Sequence, residues 1–275
     1  MKVWLMDRLV PLEAARVSAL DRGLTVGAGV FETLKVASGR PFAMTRHLQR
    51  LARSAAVVGV DLPPVDVIRA AAEQVVAANE AAVGPLGRMR ITVTAGAGEL
   101  SDPYRGTGPG TLVVTVTPAQ RWPPTTDAVL VFWTRNPESP LANVKSTSYA
   151  ENAIALSAAR SQGFSEALLC NTRSEVCEGT GSNVFLVLEG ELVTPPVTSG
   201  ALAGITRELV LEWVGAHERA VSRAELSGAT EIFLTSSTRD IHPVARLGDR
   251  NLTAPGPVTK AAMATWATQA GEFDG

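Results

Sequence analysis

The stretch Asn143-Val144-Lys145-Ser146-Thr147-Ser148-Tyr149-Ala150-Glu151-Asn152 sets one lysine among small polar neighbours. It lies just ahead of Ala150 to Ser161, which reads as a helix stopped by Gly163. Ser146, Thr147 and Ser148 are natural N-cap residues. An amine beside the positive end of a helix dipole is cheaper to deprotonate, and a neutral lysine amine attacks carbonyls and forms Schiff bases. A solvated lysine ahead of a helix would look the same from this decamer alone. Glu178 sharpens the reading: it stands between an apolar strand and the turn Gly179-Thr180-Gly181-Ser182-Asn183, a setting for a partly buried carboxylate. Such a carboxylate could keep a pyridine nitrogen protonated and make the ring an electron sink.

Two segments look built for a phosphate. Gly204-Ile205-Thr206 presents backbone N–H groups and a hydroxyl at a helix start, and Thr235-Ser236-Ser237-Thr238 offers hydroxyls where a strand ends. A capped helix and a polar turn are the plainer account of each alone. Arg46, Arg50 and Arg53 share one side of a helix that Thr45 caps and that runs to about Val58. They are either a solvated basic face or an anion grip. Together with Lys145 and Glu178 these parts suggest a phosphorylated cofactor.

The elements that must hold these residues follow from periodicity. Residues 1 to about 43 read as strands and turns, with Val30-Phe31-Glu32-Thr33-Leu34-Lys35-Val36 alternating. Gly27-Ala28-Gly29 lacks the third glycine of a dinucleotide fingerprint and opens a strand. Val65 to Ala82 is an amphipathic helix, Arg88 to Thr94 a period-two strand, Gly96 to Gly110 a long loop and Thr111 to Thr117 a strand. Pro118 to Pro124 has the composition of a linker. The second half reads as strands Val129–Thr134, Glu166–Cys170, Val184–Val187 and Glu231–Leu234, helices from Ala150 and Gly204, and a final helix from Val258 to Ala270.

With 275 residues there is room for two domains, and the formal net charge of −2 with no basic tract argues against nucleic acid. No run of about 18 apolar residues suggests a membrane span, and the N-terminus, with Asp7, does not read as a secretory signal. Two cysteines and three scattered histidines fit neither a disulfide framework nor a metal cluster. The expectation is a cytoplasmic protein without metal.

The motifs in their order resemble the fold-type-IV, or class IV aminotransferase, family of pyridoxal-phosphate enzymes. The resemblance runs from about Asp21 to Pro243 through Asp21-Arg22-Gly23, Gly27-Ala28-Gly29-Val30-Phe31-Glu32-Thr33, His47-Leu48-Gln49-Arg50-Leu51 and Lys145. It continues through Glu178 to Phe185, Leu202 to Arg207 and Thr235 to Thr238. It implies a two-domain α/β (α+β) fold of the D-amino-acid aminotransferase type, with residues 1–118 and 126–275 flanking the cofactor and a linker at 119–125. It also implies that Lys145 carries pyridoxal 5′-phosphate (PLP) as a Schiff base and moves the proton between Cα and C4′, and that Glu178 meets the pyridine nitrogen. By the same resemblance Arg50, Gly204, Ile205, Thr206, Ser237 and Thr238 hold the phosphate end, Leu202 lies against the ring, Tyr149 sits near the phenolic oxygen, and Ser182 and Asn183 complete the cofactor site. Phe31, Glu32 and Thr33 would line the substrate side, and the protein would be a homodimer.

Within that family the Lys145-to-Tyr149 spacing is like that of D-amino-acid transaminases and 4-amino-4-deoxychorismate lyases, and unlike that of branched-chain L-transaminases. The Arg-x-His carboxylate trap usual in D-type members is absent from Thr94-Ala95-Gly96-Ala97-Gly98-Glu99-Leu100. Lys35, Arg90 and Arg105 are the candidates to meet the substrate carboxylate instead. The expected reaction is amino transfer from a small, D-configured amino acid to a 2-oxo acid. The lyase yielding 4-aminobenzoate and pyruvate is the alternative, on Thr33, with a branched-chain transaminase third.

Overall fold

Alternating apolar residues build the first sheet. Its strands are β1 (Lys2–Leu5), β2 (Arg8–Pro11), β3 (Gly29–Ala37), β4 (Arg40–Pro41), β5 (Leu86–Thr94) and β6 (Thr111–Pro118), antiparallel in the order β2-β1-β6-β5-β3-β4. One face carries Val30, Leu34, Val36, Met89, Ile91, Val93, Val114 and Val116 into the core. Helices α2 (Met44–Val58) and α3 (Val65–Val83) cover it. Their buried residues recur at helical spacing, as in Ile68, Ala71, Ala72, Val75 and Val76 of α3. A short helix, α1 (Arg22–Thr25), is capped by the Asp21 carboxylate, which accepts from the Gly23 N–H at 2.8 Å. The computed structural model describes residues 1–102 and 110–273, so Arg105 and residues 103–109 of the expected Gly96 to Gly110 loop lie outside the described residues.

A second sheet is assembled from β7 (Thr126–Arg135), β8 (Glu166–Asn171), β9 (Val176–Gly179), β10 (Asn183–Leu188), β11 (Glu191–Thr194), β12 (His217–Glu218), β13 (Glu231–Ser236), β14 (Asp240–Leu247) and β15 (Arg250–Asn251). The order is β12-β11-β10-β13-β14-β7-β8-β9, with β15 on β14. Its pairs β14/β7, β7/β8 and β11/β12 are parallel and the others antiparallel. Strands β8 and β10 are buried along their whole length, which explains their unbroken apolar runs. Helices α4 (Ala150–Ser161), α5 (Ile205–Val214) and α6 (Pro257–Glu272) belong to this part of the chain.

By contact the chain divides into two units, Met1–Gln120 with Val144–Ser148, and Arg121–Asn143 with Tyr149–Phe273. Lys145 therefore belongs to the first unit, although the linear division expected from sequence put it in the second. Nor is the proline-rich stretch a bare tether. Trp122 stacks on the Arg239 guanidinium at 3.9 Å and the Pro123 carbonyl accepts from His242 Nε2 at 2.8 Å, so these residues are fastened to the second unit.

Two expected caps differ. Thr45 does not cap α2: the N-cap is Ala43 in the left-handed region, and the Thr45 hydroxyl accepts instead from Arg69 at 3.0 Å. Ser146, Thr147 and Ser148 do not cap α4, whose N-cap is Tyr149. Thr147 and Ser148 donate to the Gly27 carbonyl at 2.9 and 3.2 Å. Gly27 has φ +70°, and a Cβ there would lie 2.4 Å from Ser148 Oγ. Gly39 has φ +77° with nothing within 4 Å. Alanine at either position pays the left-handed backbone cost of about 1–2 kcal/mol. Gly27→Ala is expected to lose more than Gly39→Ala in equilibrium urea unfolding, because only it displaces the lysine-bearing segment; equal losses would show that the segment adds nothing there.

Candidate active site

Lys145 is placed by β-pairing. Val30 and Ser146 form an antiparallel bridge, the Phe31 N–H donates to the Lys145 carbonyl at 2.9 Å, and the Thr147 N–H donates to the Gly29 carbonyl at 2.9 Å. The Lys145 N–H also donates to Ser54 Oγ on α2 at 3.3 Å. This register sets Lys145 opposite Phe31, and cross-strand partners share a face. Accordingly Lys145 Nζ lies 4.6 Å from the Phe31 ring centroid. Strand alternation puts Thr33 and Lys35 on the same face, and β5 adds Arg90 opposite Thr33. The Arg90 guanidinium carbon is 3.4 Å from the Phe31 centroid, and Lys35 Nζ is 5.1 Å from the Phe42 ring. An amine, a hydroxyl and two further cations thus share the face turned away from the core.

Glu32 is on the other face, a correction to its expected place beside Phe31: neighbours along a strand point to opposite sides. It is 0% exposed among the core residues of β3. Its carboxylate accepts from Arg50 Nε at 2.8 Å and Nη2 at 2.7 Å, and pairs with His47 Nδ1 at 2.6 Å. Burial alone would raise the Glu32 carboxyl, but the Arg50 charge and hydrogen bond, then His47, outweigh it and lower it to about 2. Burial, against the pull of Glu32, lowers His47, and facing a carboxylate its Nδ1 is the donor. Two of the three nitrogens of Arg50 are therefore committed to Glu32.

In the second unit Glu178 lies on β9, 7% exposed. Its Oε2 accepts from the Leu202 N–H at 2.9 Å and Asn183 Nδ2 at 3.2 Å, and Arg135 Nη2 is 3.6 Å from Oε1. Asn183 also donates to the Leu202 carbonyl at 2.8 Å. It therefore orients Glu178, rather than reaching outward as a cofactor ligand was expected to. Ser182 likewise turns inward, its hydroxyl on Glu166 at 3.1 Å. The Tyr149 hydroxyl donates to the Thr180 carbonyl at 2.6 Å. Gly204 is the N-cap of α5 and has no side chain to cap the first turn; a Cβ would come 1.9 Å from Asn183 Oδ1. Ile205 and Thr206 are buried at that helix start. Ser237 and Thr238 lie in the turn after β13, which pairs with β10 from Asn183 onward.

The Amino-transferase class IV family matches residues 29–247. The chain belongs to this family. A putative branched-chain-amino-acid aminotransferase of Methanocaldococcus jannaschii is 32% identical over 94% of this chain and 93% of its own length. The D-alanine aminotransferase of Bacillus licheniformis is 30% identical over 94% of both chains. A PLP-bound hypothetical aminotransferase of Mycobacterium tuberculosis superposes with a TM-score of 0.87 at 26% identity, covering 98% of both chains. Branched-chain aminotransferases are the more numerous among the similar proteins and a D-alanine aminotransferase stands among them, so overall likeness leaves the substrate open.

Class IV aminotransferases depend on PLP, and the donors present suit that cofactor. A primary amine is held by backbone pairing, a carboxylate is fixed by an N–H and an amide, and an uncapped helix N-terminus is ready for an anion. Thr235 Oγ1, buried on the strand that leads to Ser237, has no hydrogen-bond partner among the described residues.

Sequence reasoning missed His47, Arg135 and Glu166 as supports. Glu166 opens the wholly buried strand β8 and Arg135 closes the partly exposed β7, and a charge at the end of a mainly apolar run is the signal that could have found them. The ion pair on β3 has a pH signature. Glu32 contributes stability above its unfolded value, near 4.5, and loses it as pH falls toward 2. Glu32→Gln, which removes the carboxylate charge that faces buried Arg50, is expected to cost about 3 kcal/mol at pH 7. It is also expected to flatten the decline between pH 5 and 2, as urea unfolding across that range will show.

Proposed function

We propose that this class IV aminotransferase moves the amino group of a small amino acid, D-configured by preference, to a 2-oxo acid. The observation that carries the reading is the outer face of the first sheet, where the Lys145 amine and the Arg90 guanidinium meet one aromatic ring, Phe31. An α-amino acid offers its nitrogen and its carboxylate from a single carbon. A lysine that exchanges amines beside a cation suited to carboxylates matches that substrate class. Lys35 is the second carboxylate candidate. The D preference is supported by the Lys145-to-Tyr149 spacing and by the B. licheniformis relative.

Bound PLP supplies an aldehyde for the substrate amine and a protonated ring that withdraws electrons from Cα. Lys145 Nζ would be the acid–base group that takes the proton from substrate Cα. Glu178, oriented by Leu202 and Asn183, holds the proton on the pyridine nitrogen. Gly204, Ile205 and Thr206, with the hydroxyls of Ser237 and Thr238, receive the phosphate, and Arg50, oriented by Glu32, supplies positive charge to it. Leu202 would lie against the ring and Tyr149 near its phenolic oxygen. Exposed Leu20, Leu24 and Val26 in the first unit support a homodimer.

A second reading, 4-amino-4-deoxychorismate lyase, is favoured by Thr33, a hydroxyl on the same outer face as Lys145. A panel of D- and L-donors with 2-oxoglutarate or pyruvate, beside aminodeoxychorismate alone, separates the two. The transaminase reading expects 2-oxo acid formation from D-donors, abolished in Lys145→Ala. Pyruvate release from aminodeoxychorismate without an amino acceptor would replace it with the lyase. Arg90→Ala is expected to raise the KM for the amino donor about 10–100-fold, the loss of one charge-assisted contact. Cofactor affinity, read by equilibrium dialysis, is expected to stay as it was.

A further inference from the structure

Glu166 is 2% exposed and gathers donors well beyond the Ser182 hydroxyl. Its Oε1 accepts from the Thr180 N–H at 3.1 Å, from the Thr180 hydroxyl, and from the Ala167 N–H at 3.1 Å. Its Oε2 accepts from Ser182 Oγ at 3.1 Å and from Arg239 Nη2 at 3.3 Å. Arg239 meets only Oε2, and a buried carboxylate needs its remaining lone pairs satisfied as well. Three of these donors come instead from one turn, which the Gly179 N–H closes onto the Ser182 carbonyl at 2.8 Å. The Thr180 carbonyl of that turn receives the Tyr149 hydroxyl at 2.6 Å, and Glu178 directly precedes the turn.

The support extends backward as well. Arg239 stacks on Trp122 at 3.9 Å and donates from Nη1 to His242 Nδ1 at 3.1 Å. His242 donates from Nε2 to the Pro123 carbonyl at 2.8 Å. Donor and acceptor alternate consistently along this line when His242 is neutral, and burial together with the Arg239 charge lowers its basicity.

We propose that Glu166, anchored by Arg239, is a positioning residue of the active site that fixes the Tyr149 hydroxyl through the Thr180–Ser182 turn. Its importance to turnover rests on the reading that Tyr149 faces the cofactor, whereas its hold on Tyr149 does not. Tyr149 is 36% exposed as a residue, yet its hydroxyl is tied down. Burial raises the hydroxyl above its ordinary range; an Asn152 hydrogen bond opposes this, the charges of Glu178 and Glu166 add to it, and Arg135 opposes it. Donation to a carbonyl also favours the protonated form, so release from Thr180 must lower the titration midpoint.

The chain has only one other tyrosine, Tyr104, so a Tyr104→Phe background isolates Tyr149 in an ultraviolet titration of the full-length, PLP-loaded protein. Glu166→Ala and Glu166→Gln both delete the charge, but only glutamine keeps an acceptor for the turn. The difference between them therefore reads the hold itself. The expected result is a Tyr149 midpoint lower in Glu166→Ala than in Glu166→Gln by about half a pH unit or more, the worth of one hydrogen bond. Glu231→Ala, which removes another buried carboxylate that caps α6 through the Val258 and Thr259 N–H groups, is expected to leave the midpoint in place. Equal midpoints in the two Glu166 variants, or an equal fall in Glu231→Ala, would overturn the proposal. Tyr149→Phe tests the other reading: an unchanged absorption spectrum of bound PLP would show that Tyr149 does not face the cofactor, and would leave the hold of Glu166 on Tyr149 untouched.

Discussion

Two backbone hydrogen bonds, from Phe31 to the Lys145 carbonyl and from Thr147 to the Gly29 carbonyl, set the position of the reactive amine. They lock five residues from the middle of the chain onto the first turn of a strand near its start. Side chains of a paired segment have no freedom of face, so Lys145 must emerge beside Phe31, and Ser146 must point inward with Val30. The glycines at 27 and 29 follow from the same constraint, since a Cβ at Gly29 would lie 2.9 Å from Thr147 Oγ1. Backbone pairing positions an amine more firmly than the end of a flexible helix would, because every neighbouring residue shares the hold.

Among the carboxylates that the described residues bury, Glu32, Glu166 and Glu178 each have a matched set of donors. Glu32 takes Arg50 and His47, Glu166 takes Arg239 and a turn, and Glu178 takes a backbone N–H and an amide. Burying charge is costly, and well-packed apolar residues would often be as stable. What such clusters provide is orientation: each fixes a group that an apolar contact would leave free to rotate. In a protein that must set an amine, a pyridine ring and a phosphate in register, that orientation is worth its cost in stability.

The sequence showed the chemical parts more clearly than their mountings. Lys145, Glu178 and the Gly204-Ile205-Thr206 helix start were readable because each is a residue type whose chemistry is local. The caps misread at Thr45 and at Ser146 to Ser148 had one cause. A hydroxyl before a helix looks like a cap, but its true partner, Arg69 or the Gly27 carbonyl, is distant in sequence. The family resemblance puts Glu32 with Phe31 on the substrate side, whereas the two-residue period of a strand turns it into the core. The inward turn of Ser182 and Asn183 depends on Glu166 and Glu178, and no local pattern announces such a pairing. Trp122 and Pro123 read as linker by composition, yet they pack on Arg239 and His242, side chains from β14 and the turn that leads into it.

The chain's route through its two units has a further consequence. It leaves the first unit after Gln120, returns for Val144–Ser148, and departs again at Tyr149. A cut at the apparent boundary would strand the lysine pentapeptide on the wrong fragment. Each half expressed alone would then lack either the amine or the strand that orients it. Domain shuffling at that boundary would therefore not by itself yield a half that keeps both the amine and its strand.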